Sequence, residues 1–272
     1  MISSGSGQGH EVKPRLVATD LDGTVVRSDG TIADRTRDVI ARIETAGVPF
    51  VMVTGRPPRW MAPIVEMTGH RGIAVCANGA LVYDLHTETV VERFLLGEDD
   101  ALEVVSALRR DLPGIAFAVE RNEFGFSHEE AYVPSWEQPE HRPMPAEQLV
   151  EGGVVKLLAR HPELGSDDLL AAARDAVGDR ATFTHSSGDG LLEISAAGIS
   201  KASGLAHLAR ERGVDAADVV AFGDMPNDLP MLAWAGLGVA MGNAHPEVLE
   251  LADEVTASND DDGVARVLER WF

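Results

Sequence analysis

The sequence predicts an α/β protein: a parallel-sheet core interrupted by an inserted α+β domain. Three observations carry that expectation. Short apolar runs at Leu16-Val17, Pro49 to Val53 and Ile73 to Cys76 end in polar residues and alternate with segments of helical spacing, the βαβ rhythm of a parallel sheet. The rhythm stops near Asp84 and resumes at Leu192-Glu193-Ile194-Ser195. A chain of 272 residues, 44% of them hydrophobic, has enough apolar surface for one large core or two modest ones.

The residues from Met1 to Val12 are rich in Gly and Ser and lack an apolar h-region, so they read as a disordered lead rather than a signal peptide. Next comes Ala18-Thr19-Asp20-Leu21-Asp22-Gly23-Thr24, a strand end that delivers two carboxylates into a glycine turn. Carboxylates that close repel by about 4 kcal/mol at an intermediate dielectric, so the pair wants a cation. An Asp-Gly turn without chemistry is the plainer alternative. Ser28-Asp29-Gly30-Thr31 reads as a hairpin turn, a small flap beside the aspartates. Asp34 to Ala46 has helical spacing, with Val39, Ile40 and Ile43 on one side and Gly47 as its stop. The strand at Pro49 to Val53 delivers Thr54-Gly55-Arg56, and a helical segment opens at Pro57-Pro58 and runs to about Thr68. Ile73 to Cys76 ends in Ala77-Asn78-Gly79-Ala80, and the hairpin-like return through Leu81-Val82-Tyr83 turns Asn78 to the same rim.

The insert is predicted at 84–192, with the core at 13–83 and 193–272. Within it the pattern gives a strand at Val90 to Leu95, a helix from Asp99 to Arg110 and a strand at Ile115 to Val119. A Pro-rich stretch from Arg121 to Pro145 follows, then a strand at Gly153 to Ala159, a helix at Ser166 to Val177 and a strand at Ala181 to His185. The resumed core holds a helix from Lys201 through Arg212, a strand at Val219 to Phe222, a short helix to Trp234, a strand at Leu237 to Ala240 and a final helix from Gly263 to Trp271.

Composition removes several classes of function. A net charge of −21 without a basic run opposes nucleic acid, whose phosphates are bound by Lys and Arg. No stretch approaches the roughly 18 apolar residues of a membrane span. Cys76 is the only cysteine, which excludes an intrachain disulfide and a thiolate metal centre and makes a reducing cytoplasm the simplest setting. The excess acid reads as solvated surface, so an anionic substrate must be held locally.

Four deliveries converge on the carboxyl edge of one sheet, where open α/β sheets bind ligands: Asp20 with Asp22, Thr54, Lys201 near a helix start, and Asp224 with Asn227 and Asp228. Singly, each has a plain reading. Thr54-Gly55 suits a turn, and Asn227 and Asp228 suit the first turn of a helix opening at Pro226. Lys201 departs from that, because a helix start disfavours a cation and favours an anion. Acidic oxygens suit Mg²⁺, which leaves positions open for substrate phosphate, and Lys and Thr would take the remaining phosphate oxygens. The set is what phosphoryl transfer needs.

In order, Asp20-Leu21-Asp22-Gly23-Thr24, Val53-Thr54-Gly55-Arg56, Gly198-Ile199-Ser200-Lys201 and Gly223-Asp224-Met225-Pro226-Asn227-Asp228 resemble the four motifs of the haloacid dehalogenase (HAD) superfamily. The insert between the second and third resembles the C2B cap of its Cof-type phosphatases. Gly242-Asn243-Ala244 and the stretch 258–265 extend the likeness over nearly the whole chain. The resemblance implies a HAD-like Rossmannoid core with Asp20 as nucleophile, forming an aspartyl-phosphate. Asp22 would be the acid for the leaving alcohol and then the base for water. It further implies Mg²⁺ held by Asp20, the backbone carbonyl of Asp22 and Asp224, with Asp228 completing or orienting the shell. Thr54 and Lys201 would bind phosphate with Asn227 beside them, and Gly55 and Gly23 would let backbone approach the ligand. An aspartate rather than a serine at position 22 fits a phosphatase.

The function so implied is Mg²⁺-dependent hydrolysis of a small phosphorylated metabolite: a sugar phosphate, or a nucleotide-related or cofactor phosphate. A phosphomutase or sucrose-phosphatase-like enzyme of the same fold, or a non-catalytic phosphate-ligand sensor, is the alternative. The expected assembly is a monomer or weak homodimer. In the insert, Arg121, Asn122, His128, Glu129, Tyr132, Lys156 and His185 are polar residues able to meet substrate under a closing lid, with Arg121, His128 and Lys156 the specificity candidates. Trp136 reads as packing.

Overall fold

The computed structural model describes residues 12–121, 125–134 and 143–272. The expectations for the lead before Val12, for Asn122 and for Trp136 lie outside the described residues. The chain begins with β1 (Leu16–Thr19), α1 (Asp34–Thr45), β2 (Phe50–Val53), α2 (Ala62–Thr68), β3 (Ile73–Cys76), β4 (Leu81–Asp84) and β5 (Thr89–Arg93). It continues with α3 (Glu98–Asp111), β6 (Ala116–Glu120), β7 (Phe126–His128), α4 (Ala146–Leu149), β8 (Lys156–Arg160), α5 (Ser166–Val177), β9 (Ala181–Thr184) and β10 (Leu191–Ala196). It closes with α6 (Lys201–Glu211), β11 (Val219–Gly223), α7 (Leu229–Trp234), β12 (Leu237–Ala240), α8 (Pro246–Leu251), β13 (Glu254–Val255) and α9 (Gly263–Leu268).

The core sheet has the order β13-β12-β11-β1-β2-β3-β4-β5, parallel from β13 to β3 and antiparallel at β4 and β5. β1 lies between β2 and β11 and is buried on both faces, as its run Leu-Val-Ala-Thr requires. Thr19 sits opposite Phe222, so Asp20 and Asp224 leave neighbouring strands almost level with one another. Helix α1 covers one face of the sheet with Val39, Ile40 and Ile43, the stripe its spacing predicts. Leu205, Leu208 and Ala209 of α6 pack on the other face. α6 opens on a capping box: the Ser200 hydroxyl accepts from the Ser203 N–H at 3.3 Å, and the Ser203 hydroxyl accepts from the Ser200 N–H at 2.9 Å. That start fixes the point from which Lys201 enters the core.

The second sheet is antiparallel, β7-β6-β8-β10-β9. Its strands alternate between two faces. Val119, Leu157, Leu192 and Ile194 join α3 and α5 in the cap core, while Glu120, Lys156, Leu158 and Glu193 line the cavity beneath the cap.

Sheet membership moves both seams of the predicted insert. β5, expected in the cap, is the edge strand of the core sheet, because β4 folds back on it through a local turn in which Asp84 accepts from the N–H groups of His86 and Thr87 at 2.8 and 3.0 Å. The change of pattern near Asp84 falls within the antiparallel edge of the core sheet, between β4 and β5, and is not a domain boundary. β10, expected to reopen the core at Leu192, pairs antiparallel with β8 and β9 in the cap. The chain therefore crosses between Arg93 and Glu98 and again between Ala196 and Lys201. The flap is the expected tight turn, closed by the Gly30 N–H to the Arg27 carbonyl and the Arg27 N–H to the Thr31 carbonyl. One smaller correction is that α9 ends at Leu268 rather than Trp271.

Candidate active site

Lys201 organises the centre. Its Nζ donates to Asp20 Oδ1 and Asp228 Oδ1, both at 2.7 Å, with all three side chains buried. Asp228 Oδ2 accepts the backbone N–H groups of Asp224 and Met225, each at 3.0 Å, so Asp228 is fully engaged in shaping the turn that carries Asp224. The Thr24 hydroxyl donates to Asp224 Oδ1 at 3.1 Å. Asp20, Asp224 and Asp228 each bring an oxygen within 4.8 Å of the others.

Three buried carboxylates thus face one ammonium. Burial pushes the Asp20 carboxyl well above its ordinary 3.8; Lys201 opposes this, and Asp228, Asp224 and Asp22 add to it. Burial, then Asp228, raises Asp224 to about 7 against the pull of Lys201. For Lys201, burial opposes the charge, but Asp20 and Asp228 outweigh it and the ammonium is held more firmly than usual. The uncompensated charge is negative, and its donors are hard oxygens. That set fits Mg²⁺. Gly23, at φ +77°, belongs to the same fit: a Cβ there would stand 2.2 Å from Asp224 Oδ2, so only glycine lets the loop after β1 close over this carboxylate.

Asp22 lies apart from the cluster. Its side chain is 55% exposed and pairs with Arg56 by two bonds, Nε to Oδ2 at 2.7 Å and Nη2 to Oδ1 at 2.5 Å. Its side chain is not among the carboxylates that come together as a possible metal site. The loop after it is pinned by the tail of the chain: Asn243 Nδ2 donates to Gly23 O at 2.8 Å, Asn259 Nδ2 to Val26 O at 3.0 Å, and Ser28 Oγ to Asp260 at 2.8 Å.

Thr54 follows β2, and its Oγ1 accepts the Arg56 N–H at 3.0 Å. Gly55 lines the cavity, as does Asn227, whose Nδ2 donates to Asn78 Oδ1 at 3.1 Å. Asn227 Oδ1 is buried without a hydrogen-bond partner among the described residues.

A cavity of about 280 Å³ lies between core and cap, with Asp20, Asp22 and Arg56 on one side and Glu120, Lys156 and Glu193 on the other. Of the three specificity candidates, Lys156 alone lines it. Arg121 follows Glu120 and so points away from the cavity; it donates to the carbonyls of Gln148 and Glu151 at 2.5 and 3.2 Å. His128 lies on the outermost cap strand, packed near Phe126 and Tyr132, with Nδ1 on Glu129 O at 2.6 Å. Glu129 ties Arg109 to the N–H groups of Phe117 and Ala146, and His185 pairs with Asp167. Sequence reasoning missed Glu193, which pairs with Lys156, and Glu120, which takes both terminal nitrogens of Arg59 from the core. A signal was present: Lys156 and Glu193 are single charges inside the apolar runs Val154 to Ala159 and Leu191 to Ile194, positions that demand a buried partner.

Fold and site together define a capped α/β protein with a lysine-bridged acidic centre at its strand ends. A model of the haloacid dehalogenase-like hydrolases matches residues 17–268, and the chain belongs to that family. It is 30% identical over 282 residues to the 5-amino-6-(5-phospho-D-ribitylamino)uracil phosphatase YcsE of Bacillus subtilis, covering 98% of this chain and 99% of that one. It is 29% identical over 270 residues to the pyridoxal phosphate phosphatase YbhA of Escherichia coli, covering 93% and 97%. BT1666 from Bacteroides thetaiotaomicron, a structure described among phosphatases of the HAD superfamily, superposes with a TM-score of 0.81 at 25% identity over 99% of both chains. Among the described residues, no helix is long and apolar enough to cross a membrane.

Proposed function

We propose that this hydrolase is a Mg²⁺-dependent phosphomonoesterase that acts on a small phosphorylated metabolite through a phosphoryl group carried on Asp20. The observation that carries the reading is the Lys201 bridge. It holds one oxygen of Asp20, a residue that lines the cavity, and among the described residues it is a single ammonium set against the clustered oxygens of Asp20, Asp224 and Asp228. Asp20, Asp224 and the Asp22 carbonyl would hold the metal, with Asp228 orienting them. The ion supplies charge neutralisation for the phosphoryl oxygens.

The remaining steps belong to the chain. The Thr54 hydroxyl, the Gly55 N–H and the Lys201 ammonium hold phosphate oxygens, and Asn227 stands beside them. Asp20 attacks phosphorus, so a bond forms from phosphorus to its carboxylate as the bond to the leaving oxygen breaks. Asp22 gives that oxygen its proton. It then takes a proton from water, whose oxygen attacks phosphorus to release inorganic phosphate and restore Asp20. A cavity of about 280 Å³ suits a small leaving group, and relatives named for a ribitylaminouracil phosphate and for pyridoxal phosphate support a sugar-, nucleotide- or cofactor-derived alcohol. The cytoplasm is the proposed setting, with Cys76 buried as a free thiol.

The test is release of inorganic phosphate from a panel of phosphate esters with Mg²⁺, compared with Asp20→Asn, together with intact mass after acid quench. Turnover is expected to vanish in the variant while its circular dichroism and melt stay unchanged, and the wild type should carry one phosphoryl adduct. Full activity in Asp20→Asn, or tight ligand binding without hydrolysis anywhere on the panel, sinks the reading.

A further inference from the structure

We infer that Lys156 of the cap is a positioning residue for the phosphate loop, acting through Thr54 rather than on the leaving group. Its Nζ reaches across the cavity to the core, donating to Gly55 O at 2.7 Å, and to Glu193 Oε1 of its own sheet at 2.5 Å. Lys156 and Glu193 are each 3% exposed, so the ammonium is neutralised within the cap and gives a second of its three N–H donors to one backbone carbonyl of the core. The approach is close. A Cβ on Gly55 would lie 3.1 Å from Asn78 Oδ1 and 3.4 Å from Glu193 Oε1, so a side chain there would crowd the seat of the cap.

The clamped carbonyl belongs to the same peptide unit as the Arg56 N–H, which donates to Thr54 Oγ1 at 3.0 Å. An ammonium on one end of that unit polarises the other, and hydrogen bonds in series strengthen one another in a dry site. With its oxygen accepting from Arg56, the Thr54 hydroxyl keeps its proton to donate, and among the described residues no protein group takes it. Thr54 itself is buried and anchored by its N–H to Val75 O at 2.8 Å and by its carbonyl to the Asn78 N–H at 3.0 Å. Seating the cap therefore sets the donor that meets phosphate, whichever alcohol the phosphate leaves.

The inference rests on the phosphatase reading but is tested separately, by a double-mutant cycle. Lys156→Met/Glu193→Gln removes both charges, so no carboxylate is stranded in the cap. It is measured with and without Thr54→Val, reading the Kd of inorganic phosphate and kcat/KM for p-nitrophenyl phosphate and a sugar phosphate, with a thermal melt for each protein. A charge-assisted hydrogen bond of ordinary strength predicts about a tenfold or greater loss, equal for both esters, shrinking to less than about twofold once Thr54 is Val. Lys156→Gln, which keeps a donor for Glu193 but falls short of Gly55, serves if the double variant does not fold. An undiminished loss on the Thr54→Val background, a loss confined to one ester, or no loss overturns the inference. If the wild type hydrolyses neither ester, phosphate binding still reads the coupling, and the full panel of phosphate esters judges the proposed function separately.

Discussion

Arg56 holds Asp22 by two parallel hydrogen bonds, 2.7 and 2.5 Å long, at the mouth of the cavity and outside the buried carboxylate cluster. In the proposed reaction Asp22 must leave this fork to reach the leaving oxygen. Proton assistance matters most for a basic leaving group, so Asp22→Asn should cut alkyl phosphate hydrolysis about 10²- to 10⁴-fold. With p-nitrophenyl phosphate it should instead accumulate phosphorylated protein, visible by mass. Arg56→Gln releases Asp22 from the fork and should alter alkyl phosphate hydrolysis more than p-nitrophenyl phosphate hydrolysis. Equal effects on the two esters would show that Arg56 does not act through Asp22.

Among the described residues, Lys201 is the one cation paired with the buried carboxylates Asp20 and Asp228, beside Asp224. Lys201→Met leaves them unpaired, a loss of about 3–5 kcal/mol by the usual cost of breaking a buried pair. Thermal melts in EDTA should show a large drop, and Mg²⁺ should recover more stability in the variant than in the wild type. An unchanged melt in EDTA would mean that the centre is not held together by this charge balance.

Asp224 gives the metal a pH signature. Its carboxyl is raised from 3.8 to about 7 by burial and then by Asp228. A raised acid group contributes stability that is fully present below 3.8 and is lost as pH rises through 7. The metal-free protein should therefore lose stability from pH 4 toward 7, and Mg²⁺ should abolish the trend. Below pH 7 the ion must displace a proton, so its Kd should rise about tenfold per pH unit. Calorimetric titration of Mg²⁺ at several pH values checks this, and a flat profile between pH 5 and 7 would refute it.

Cys76 ends β3 deep in the core, where burial raises its thiol from 9 to about 12. The folded protein should resist a thiol reagent at pH 8.5 and take up one equivalent in guanidinium. The contribution to stability is intact below pH 9 and declines from 9 toward 12, by about 1.4 kcal/mol per unit. Rapid labelling of the native protein would contradict this environment.

What could be read along the chain was whatever is written locally. β1, α1 and β2 follow from apolar runs and a 3.6-residue stripe, and α5 falls on Ser166–Val177 as its spacing predicts. The strand-end motifs also read correctly as a group, since residues at the carboxyl ends of adjacent parallel strands share an edge whatever the side chains elsewhere. The seams did not, because neither β5, an exposed edge strand, nor β10, a buried one, says in its sequence which sheet will pair with it.

By itself, then, the sequence determined the class of fold and the roster of polar residues at one sheet edge, because periodicity and turn chemistry act over a few residues. Only the tertiary structure decided the partners. It gave Lys201 to both Asp20 and Asp228, Asp22 to Arg56, and Lys156 to Gly55 and Glu193. It also turned Arg121 and His128 away from the cavity they had been expected to line. The reason is physical. A buried charge must find its counterpart across whatever chain distance the fold closes, 181 residues for Lys201 and Asp20, and no local pattern records that distance.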